Sequence, residues 1–390
     1  MSAAVLPAKS KTPSPELANQ GLTKTHHLPV FSPAPTMAAV RGAVAACRLT
    51  RRFLSSSSSS SATSASRSLL GYFHHPTSTA RPIMVPSASA PVFQPLSAGS
   101  PRLSLDFLSA DAATSGFTLF DSHRGLLLLL KETGAGPRFL VCDPVSRRHT
   151  LLPSLPAAAL SAGKFLGAAI LSRAAGSGFE FRAVCLTVHA DRPRLWLAWS
   201  RDGEGSWLGL PSSRDFRIKW PLSWAENHCV RAAGSLYWHI SNNDSALALD
   251  PNTLQFSYLR APPLVWDDLG FPNYRIGETP GDGRLCFAAL EIQVLRFCAR
   301  RAGSVDGWVL EREASLTEAF DSVTDLPMDC TWLGNIDPGR TGKVFIRSFG
   351  HGHFSYDMDT GKLDRLTTDD GQEYGHPIFA YFSAPDGGSD

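Results

Sequence analysis

After Pro101 the chain alternates short apolar runs with turn-forming residues. Phe139-Leu140-Val141-Cys142 ends at Asp143-Pro144, and a second run leads to Leu151-Leu152-Pro153. The order recurs as Ala246-Leu247-Ala248-Leu249 before Asp250-Pro251, running to Leu259 and Pro262. It recurs again as Phe354-Ser355-Tyr356 before Asp357-Met358-Asp359-Thr360-Gly361, running to Leu363 and Leu366. Successive aspartates stand 107 residues apart. A β-favouring apolar run supplies a buried strand, Asp accepts hydrogen bonds from the backbone two residues on, and Pro presets φ for a turn. The pattern predicts antiparallel hairpins and gives these aspartates a structural rather than a catalytic role.

A second element alternates with the first. Leu195-Trp196-Leu197-Ala198-Trp199-Ser200 passes through Asp202-Gly203-Glu204-Gly205 to Trp207-Leu208. Ile292-Gln293-Val294-Leu295-Arg296-Phe297 passes through Gly303 and Asp306-Gly307 to Trp308-Val309-Leu310. Each reads as a hairpin with a Gly-containing loop. Together the elements centre near positions 143, 197, 250, 298 and 357, and short strands repeating every 40–50 residues are typical of propeller blades. Arg124-Gly125, Gly234-Ser235 and Gly283-Arg284 predict tight turns that enter further strands. With Leu103–Leu108 and Ile378–Phe382 available for a closing blade, the predicted fold is all-β. It is a single β-propeller of about six blades over residues 101–385, five or seven remaining open, with a tail at 386–390.

Upstream the pattern stops. Residues 1–36 and 55–100 are rich in Pro, Ser and Ala, with seven consecutive serines at Ser55–Ser61. The first stretch is expected to be disordered and the second a linker. Between them, Met37–Leu54 has helical spacing, with Val40, Val44, Cys47 and Leu54 on one face and Arg41, Arg48 and Arg52 on another. Charge separates the two parts: residues 1–105 carry +9, whereas the whole chain carries +2, so the remainder is at −7.

The small total charge, with 18% charged residues, gives no indication of a nucleic-acid partner. The longest aliphatic run, Leu126–Leu130, is far short of the roughly 20 residues a membrane span needs. No apolar segment opens the chain, so neither secretion nor a membrane partner is expected, and the cytoplasm or nucleus is. The seven cysteines form no CxxC pair and mostly sit in apolar runs, as buried thiols do in a reducing compartment.

Catalytic patterns are weak. His351-Gly352-His353, followed by Asp357 and Asp359, would need a third ligand of fixed geometry to hold a metal. Asp369-Asp370 sits in a Gly-flanked turn, and no GxSxG, P-loop or GxGxxG follows a strand. The expectation is a binding protein: no catalytic residue, no cofactor and no metal, a propeller enzyme being the less favoured alternative. Trp220, Trp224, Trp266 and Phe271 lie in Pro-containing connections and are the candidate target-binding residues, since aromatic anchors carry much interface energy. The competing role for them is filling gaps between blades.

The ordered motifs resemble the plant F-box-associated, kelch-like β-propeller family. The resemblance runs from about Leu69 to Pro385. It rests on Ser104-Leu105-Asp106-Phe107-Leu108, Asp121-Ser122-His123-Arg124-Gly125-Leu126-Leu127-Leu128, Val141-Cys142-Asp143-Pro144, Gly234-Ser235-Leu236-Tyr237-Trp238, Tyr274-Arg275-Ile276-Gly277-Glu278-Thr279, Trp308-Val309-Leu310-Glu311-Arg312-Glu313 and Tyr374-Gly375-His376-Pro377-Ile378-Phe379. The kelch diglycine is absent. The resemblance implies a substrate receptor of a cullin-type (SCF) E3 ubiquitin ligase, with a target protein held on the loop face.

Upstream, Ala38-Ala39-Val40-Arg41 through Cys47-Arg48 and Arg51-Arg52-Phe53-Leu54 resembles the C-terminal half of an F-box, which packs on a Skp-type adaptor. Thr50 stands where that motif has tryptophan, and Thr23–Thr36 offers only Leu28-Pro29 of the first half. Adaptor binding is therefore expected to be weak or absent, which would make the chain a non-degrading receptor. Two other readings of this segment stay open: an organelle-targeting signal, if translation starts at Met37, and a solvated basic helix.

Overall fold

A computed structural model describes residues 68–383 apart from 78–89, 98, 110–115, 162, 175–178, 202–203, 212–214, 222–224, 241–242, 264–273, 292, 304–306, 324–330 and 349–350. The expected disordered arm (1–36) and the F-box-like helix (37–54) lie outside the described residues.

The described residues are mostly β-strand, in antiparallel meanders. Sheet I is β3 (Thr118–His123), β4 (Leu126–Thr133), β5 (Gly136–Asp143) and β6 (Arg148–Leu151). Sheet II is β7 (Gly163–Arg173), β8 (Phe181–His189), β9 (Arg192–Arg201) and β10 (Glu204–Gly209). Sheet III is β11 (Ala225–Ala232), β12 (Ser235–Ile240), β13 (Ser245–Leu249) and β14 (Phe256–Arg260). A parallel bridge between Ala168 and His228 joins II and III into one eight-stranded sheet. Gly167 makes this approach feasible, because a Cβ there would lie 2.2 Å from Nε1 of the buried Trp238. Sheet IV is β15 (Tyr274–Glu278), β16 (Leu285–Glu291), β17 (Val294–Arg300) and β18 (Trp308–Ser315). Sheet V is β19 (Thr331–Asp337), β20 (Lys343–Ser348), β21 (Gly352–Asp357) and β22 (Leu363–Arg365).

Sheet VI has three strands in the order β2 (Val92–Pro95), β1 (Leu69–Thr77), β23 (Glu373–Phe382). This corrects the domain boundary expected at Pro101: sheet formation begins at Leu69, inside the stretch read as a linker. Tyr72 and Phe73, buried at 5% and 0% exposure, are adjacent, and His74 and His75 beside them are buried too, so no apolar–polar alternation marks a strand in this Ser/Pro-rich context. Their partners, Ala380 and Phe379, lie at the other end of the chain. Sheet VI contains Ile378–Phe382, but Leu103–Leu108 does not join it. There the Ser104 hydroxyl accepts from the Asp106 amide at 3.1 Å and a helical turn, Asp106–Ser109, follows.

The two alternating sequence elements occupy one structural position. Asp143, Asp250 and Asp357 close the third strands of sheets I, III and V; in II and IV the third strand ends at the hairpin pairs Arg201–Glu204 and Arg300–Trp308. Asp143 Oδ1 accepts from Val145 and Ser146 amides at 2.9 and 3.2 Å. Asp250 Oδ1 accepts from Asn252 at 2.8 Å, and Asp357 Oδ1 from Asp359 at 3.1 Å. The first-to-second-strand turns use left-handed pairs, Arg124-Gly125 at φ 51° and 73° and Ala233-Gly234 at φ 47° and 77°, the geometry that matches strand twist in tight hairpins.

Six buried clusters fill the seams between successive sheets, and their order is cyclic. Phe139 and Trp196 help to fill I–II, and Trp238 and Leu186 II–III. Tyr237 and Phe287 belong to III–IV, and Leu295 and Phe354 to IV–V. Phe345 and Tyr72 belong to V–VI, and Phe73 and Leu127 to VI–I. Trp220 belongs to the II–III cluster at 9% exposure.

A buried carboxylate ties three sheets. Asp121 on β3, 2% exposed, accepts from Arg231 Nη1 and Nη2 on β11 at 2.6 and 2.5 Å and from the Ile170 amide on β7 at 2.7 Å. Arg231 also donates to the Ile170 carbonyl at 2.6 Å. Removing one partner from such a pair strands the other charge and costs about 3–5 kcal/mol. Asp121→Ala is expected to lower the urea unfolding free energy by that amount, against about 1 kcal/mol for Asp250→Ala, which loses only turn hydrogen bonds. The corrected boundary gives a second test: a fragment starting at Ser68 is expected to melt cooperatively, whereas one starting at Pro101, lacking the partner of β23, melts at markedly lower temperature or not cooperatively.

Candidate binding site

The first strands β3, β7, β11, β15 and β19 contact one another in that order, and β23 contacts β3. Their polar side chains therefore meet where the strands converge. On β11, His228 Nδ1 pairs with the Phe120 carbonyl of β3 at 3.0 Å, and its ring lies 6.1 Å from that of His376 on β23, edge to face. Glu226, two residues earlier on β11, pairs with Arg275 Nη1 of β15 at 3.1 Å. Arg275 Nε in turn donates to the Gly334 carbonyl of β19 at 3.4 Å. Three strands, β11, β15 and β23, thus contribute side chains to one polar cluster, and β3 and β19 each contribute a carbonyl.

His376 is exposed although β23, the edge strand of sheet VI, pairs with β1 and contacts β3 and β21. An exposed side chain at that position lines an opening. Burial comes first among the causes that lower His376 to about 3, followed by His228, His353, Arg347 and Arg275. All four side-chain neighbours oppose its protonation. Burial would raise the Glu226 carboxyl, but Arg275, His239 and His228 bring it below its ordinary value.

Beside this cluster, sheet V presents a cross-strand row, Trp332 on β19, Arg347 on β20 and His353 on β21. The alternate row, Leu333, Ile346 and Phe354, packs against sheet IV, so the first row faces sheet VI. There the His74 ring stacks on Tyr374 with centroids 4.1 Å apart. β23 meets sheet V chiefly through β21, and β19 and β23 approach least among neighbouring first strands. The ring nitrogens of His74 and His353 make no hydrogen bond of ordinary geometry; the nearest backbone groups are those of His75 and Tyr374. Trp332 stands at this seam 43% exposed.

The residues singled out from the sequence fare differently. Trp220 is a buried gap-filler and not an exposed anchor. Trp224, Trp266 and Phe271 lie outside the described residues, as do Val40, Val44, Cys47 and Leu54. His351 lies in the turn before β21 while His353 is inside the strand, and among the described residues no three His, Cys, Asp or Glu side chains assemble as metal ligands. Asp369 accepts from Gln94 at 3.1 Å and Asp370 from Gln372 at 3.0 Å, so both are engaged in packing and turn contacts. Cys142, Cys185, Cys229, Cys286 and Cys298 are free and buried. Glu226, His228, Arg275 and His376 went unnoticed as a group. Their signal was a charged or imidazole side chain interrupting a β-run, as in Tyr274-Arg275-Ile276.

No family model matches the chain, and no curated protein matches it. Solved structures that align with the chain include a protein of unknown function from Bacteroides caccae, 10% identical, TM-score 0.40, covering 81% of this chain and 97% of that one. A nidogen/laminin complex aligns at 10% identity and TM-score 0.41, covering 81% and 98%. The Cps50 (Swd1) β-propeller domain of Myceliophteria thermophila aligns at 15% and 0.37, covering 74% and 82%. All three scores are below 0.5, and no activity of those proteins is carried over. Among the described residues no helix is long and apolar enough to cross a membrane.

Buried imidazoles give the fold a pH dependence. Burial holds His74 and His353 at about 4 and His239 at about 3, against about 6.5 when unfolded. His239 Nε2 accepts from the Ile276 amide at 3.4 Å, which a neutral ring alone can do. Between those values the unfolded chain binds more protons, so stability rises with pH. It is complete above about 6.5 and is lost as pH falls toward 4. Urea midpoints are expected to drop steadily from pH 7 to pH 5, before carboxylates titrate. His74→Phe, which keeps the stack on Tyr374, is expected to flatten the slope by close to one proton.

Proposed function

We propose that residues 69–382 form one six-bladed propeller, sheets I to VI, closed by the pairing of β1 with β23, and that it serves as a protein-binding module. The supporting observation is the cyclic order of the six seam clusters, in which sheet VI packs on both V and I. A closed ring has no long free sheet edge at its ends and holds its connecting loops on a rigid frame, where binding residues are commonly placed. The axial His376 supports binding over proton transfer: a group whose conjugate acid lies near 3 is poorly matched to general acid–base work at neutral pH.

The particular class we propose is the F-box-associated, kelch-like type that the motifs resemble, with a target protein on the loop face. The adaptor contact is weak or lost, because Thr50 replaces the aromatic anchor. Loss of a central anchor commonly costs about 2–4 kcal/mol. A pull-down of the full chain against a Skp-type adaptor, beside an intact F-box protein, is expected to recover little adaptor. Recovery equal to the control would restore the ubiquitin-ligase receptor in full. Adaptor binding abolished by Val44→Asp would assign that recovery to the 37–54 segment.

A further inference from the structure

The axial opening around His376 has the makings of a ligand seat. His376 is exposed within β23, and its electrostatic neighbours are His228, His353, Arg347 and Arg275, from three other sheets. The carboxylates of the first strands are engaged nearby. Asp121 is held by Arg231, Glu226 by Arg275, Asp337 by Arg340, and Glu373 by Arg365. Asp370, whose charge reaches His74, lies at the outer end of the V–VI seam in an exposed turn.

A second observation is independent of charge. Both ring nitrogens of His353, 6% exposed, lack a hydrogen bond of ordinary geometry, and the strand it sits on is the one through which sheet V meets β23. A buried imidazole whose nitrogens are incompletely hydrogen-bonded is costly unless something completes the bonding. The first strands on either side, β19 and β23, are parted just there, and Trp332 stands exposed in the same cross-strand row.

We propose that the opening between β19 and β23 binds a carboxylate group, held by N–H groups of His376, His353 and Arg347, with Trp332 covering the carbon skeleton that carries it. The tautomer of a neutral imidazole is adjustable, so each histidine can turn an N–H toward the anion. A guanidinium is a natural carboxylate partner, and its hydrogen bonds to a charged acceptor are the strong kind. The carboxylate can belong to a free small acid or to an acidic side chain of a bound protein. This inference rests on the axial geometry and not on the adaptor reading, so the two succeed or fail separately.

The experiment titrates the full chain, at constant ionic strength and pH 7, with succinate and separately with a hexaglutamate peptide. Binding is read by calorimetry and by the ring resonances of His376 in the folded protein. His376→Phe and His376→Gln are compared, since an exposed position tolerates both without loss of the fold. Saturable binding that shifts the His376 ring, falls at least tenfold in His376→Phe and stays within threefold in His376→Gln is expected. Response to succinate identifies a free acid as the source, and response to the peptide alone identifies a protein-borne carboxylate. If neither probe moves the His376 resonance, or if His376→Phe binds as tightly as the unsubstituted chain, the assignment is wrong.

Discussion

The antiparallel pairing of β1 with β23 joins the two ends of the described chain, and the cyclic packing depends on it. Leu69 faces Phe382 and Phe73 faces Phe379 across this pair. Three hydrogen bonds then fasten sheet VI to sheet I. The Leu119 amide donates to His75 Nε2 at 3.0 Å, the Ser122 hydroxyl to the Ala380 carbonyl at 3.0 Å, and the Tyr381 hydroxyl to the Gly125 carbonyl at 2.9 Å. Each buries a polar group that would otherwise lack a partner. Without sheet VI, sheets I and V would each present an apolar face to water.

The remaining seams use a mixed economy of apolar filling and a few polar ties. Asp121 and Arg231 join I, II and III at the level of Ile170. Arg173 reaches back from sheet II to Asp143 at 2.6 Å, so that one turn carboxylate both closes a hairpin and holds the neighbouring sheet. Between III and IV the Ala233 amide donates to Glu278 at 2.6 Å. These are ties between elements distant in sequence, and they set how the first strands converge. The axial cluster is a consequence of that convergence. The seam between V and VI differs, being filled partly by histidines and Tyr374 where others hold aliphatic layers.

Stability and the proposed binding draw on the same residue type. Burying His74, His239 and His353 in neutral form makes the fold sensitive to acid, yet the same burial leaves ring nitrogens of His74 and His353 without ordinary hydrogen bonds at the V–VI seam. A fully aliphatic seam would pack more securely and offer nothing to a polar ligand. Trp220 illustrates the opposite use: a large aromatic from a connection is spent on filling the II–III seam and is withdrawn from the surface.

Reading the chain alone determined what depends on neighbours two or three residues away. The turn aspartates and the tight turns at Arg124-Gly125 and Gly234-Ser235 follow from local hydrogen bonding and steric freedom, and their spacing along the chain gives the approximately 50-residue repeat. The all-β class followed from the same signals. Tertiary structure decided the rest, because its partners are far apart along the chain: Arg231 and Asp121 are separated by 110 positions, and Tyr381 and Gly125 by 256. Leu69–Thr77 became a strand because β23 lies alongside it, and its composition carried no comparable instruction. Glu226, His228, Arg275 and His376 became one site for the same reason. Each is an ordinary polar residue in its own strand, and only the convergence of first strands from separate sheets brings them within reach of one another.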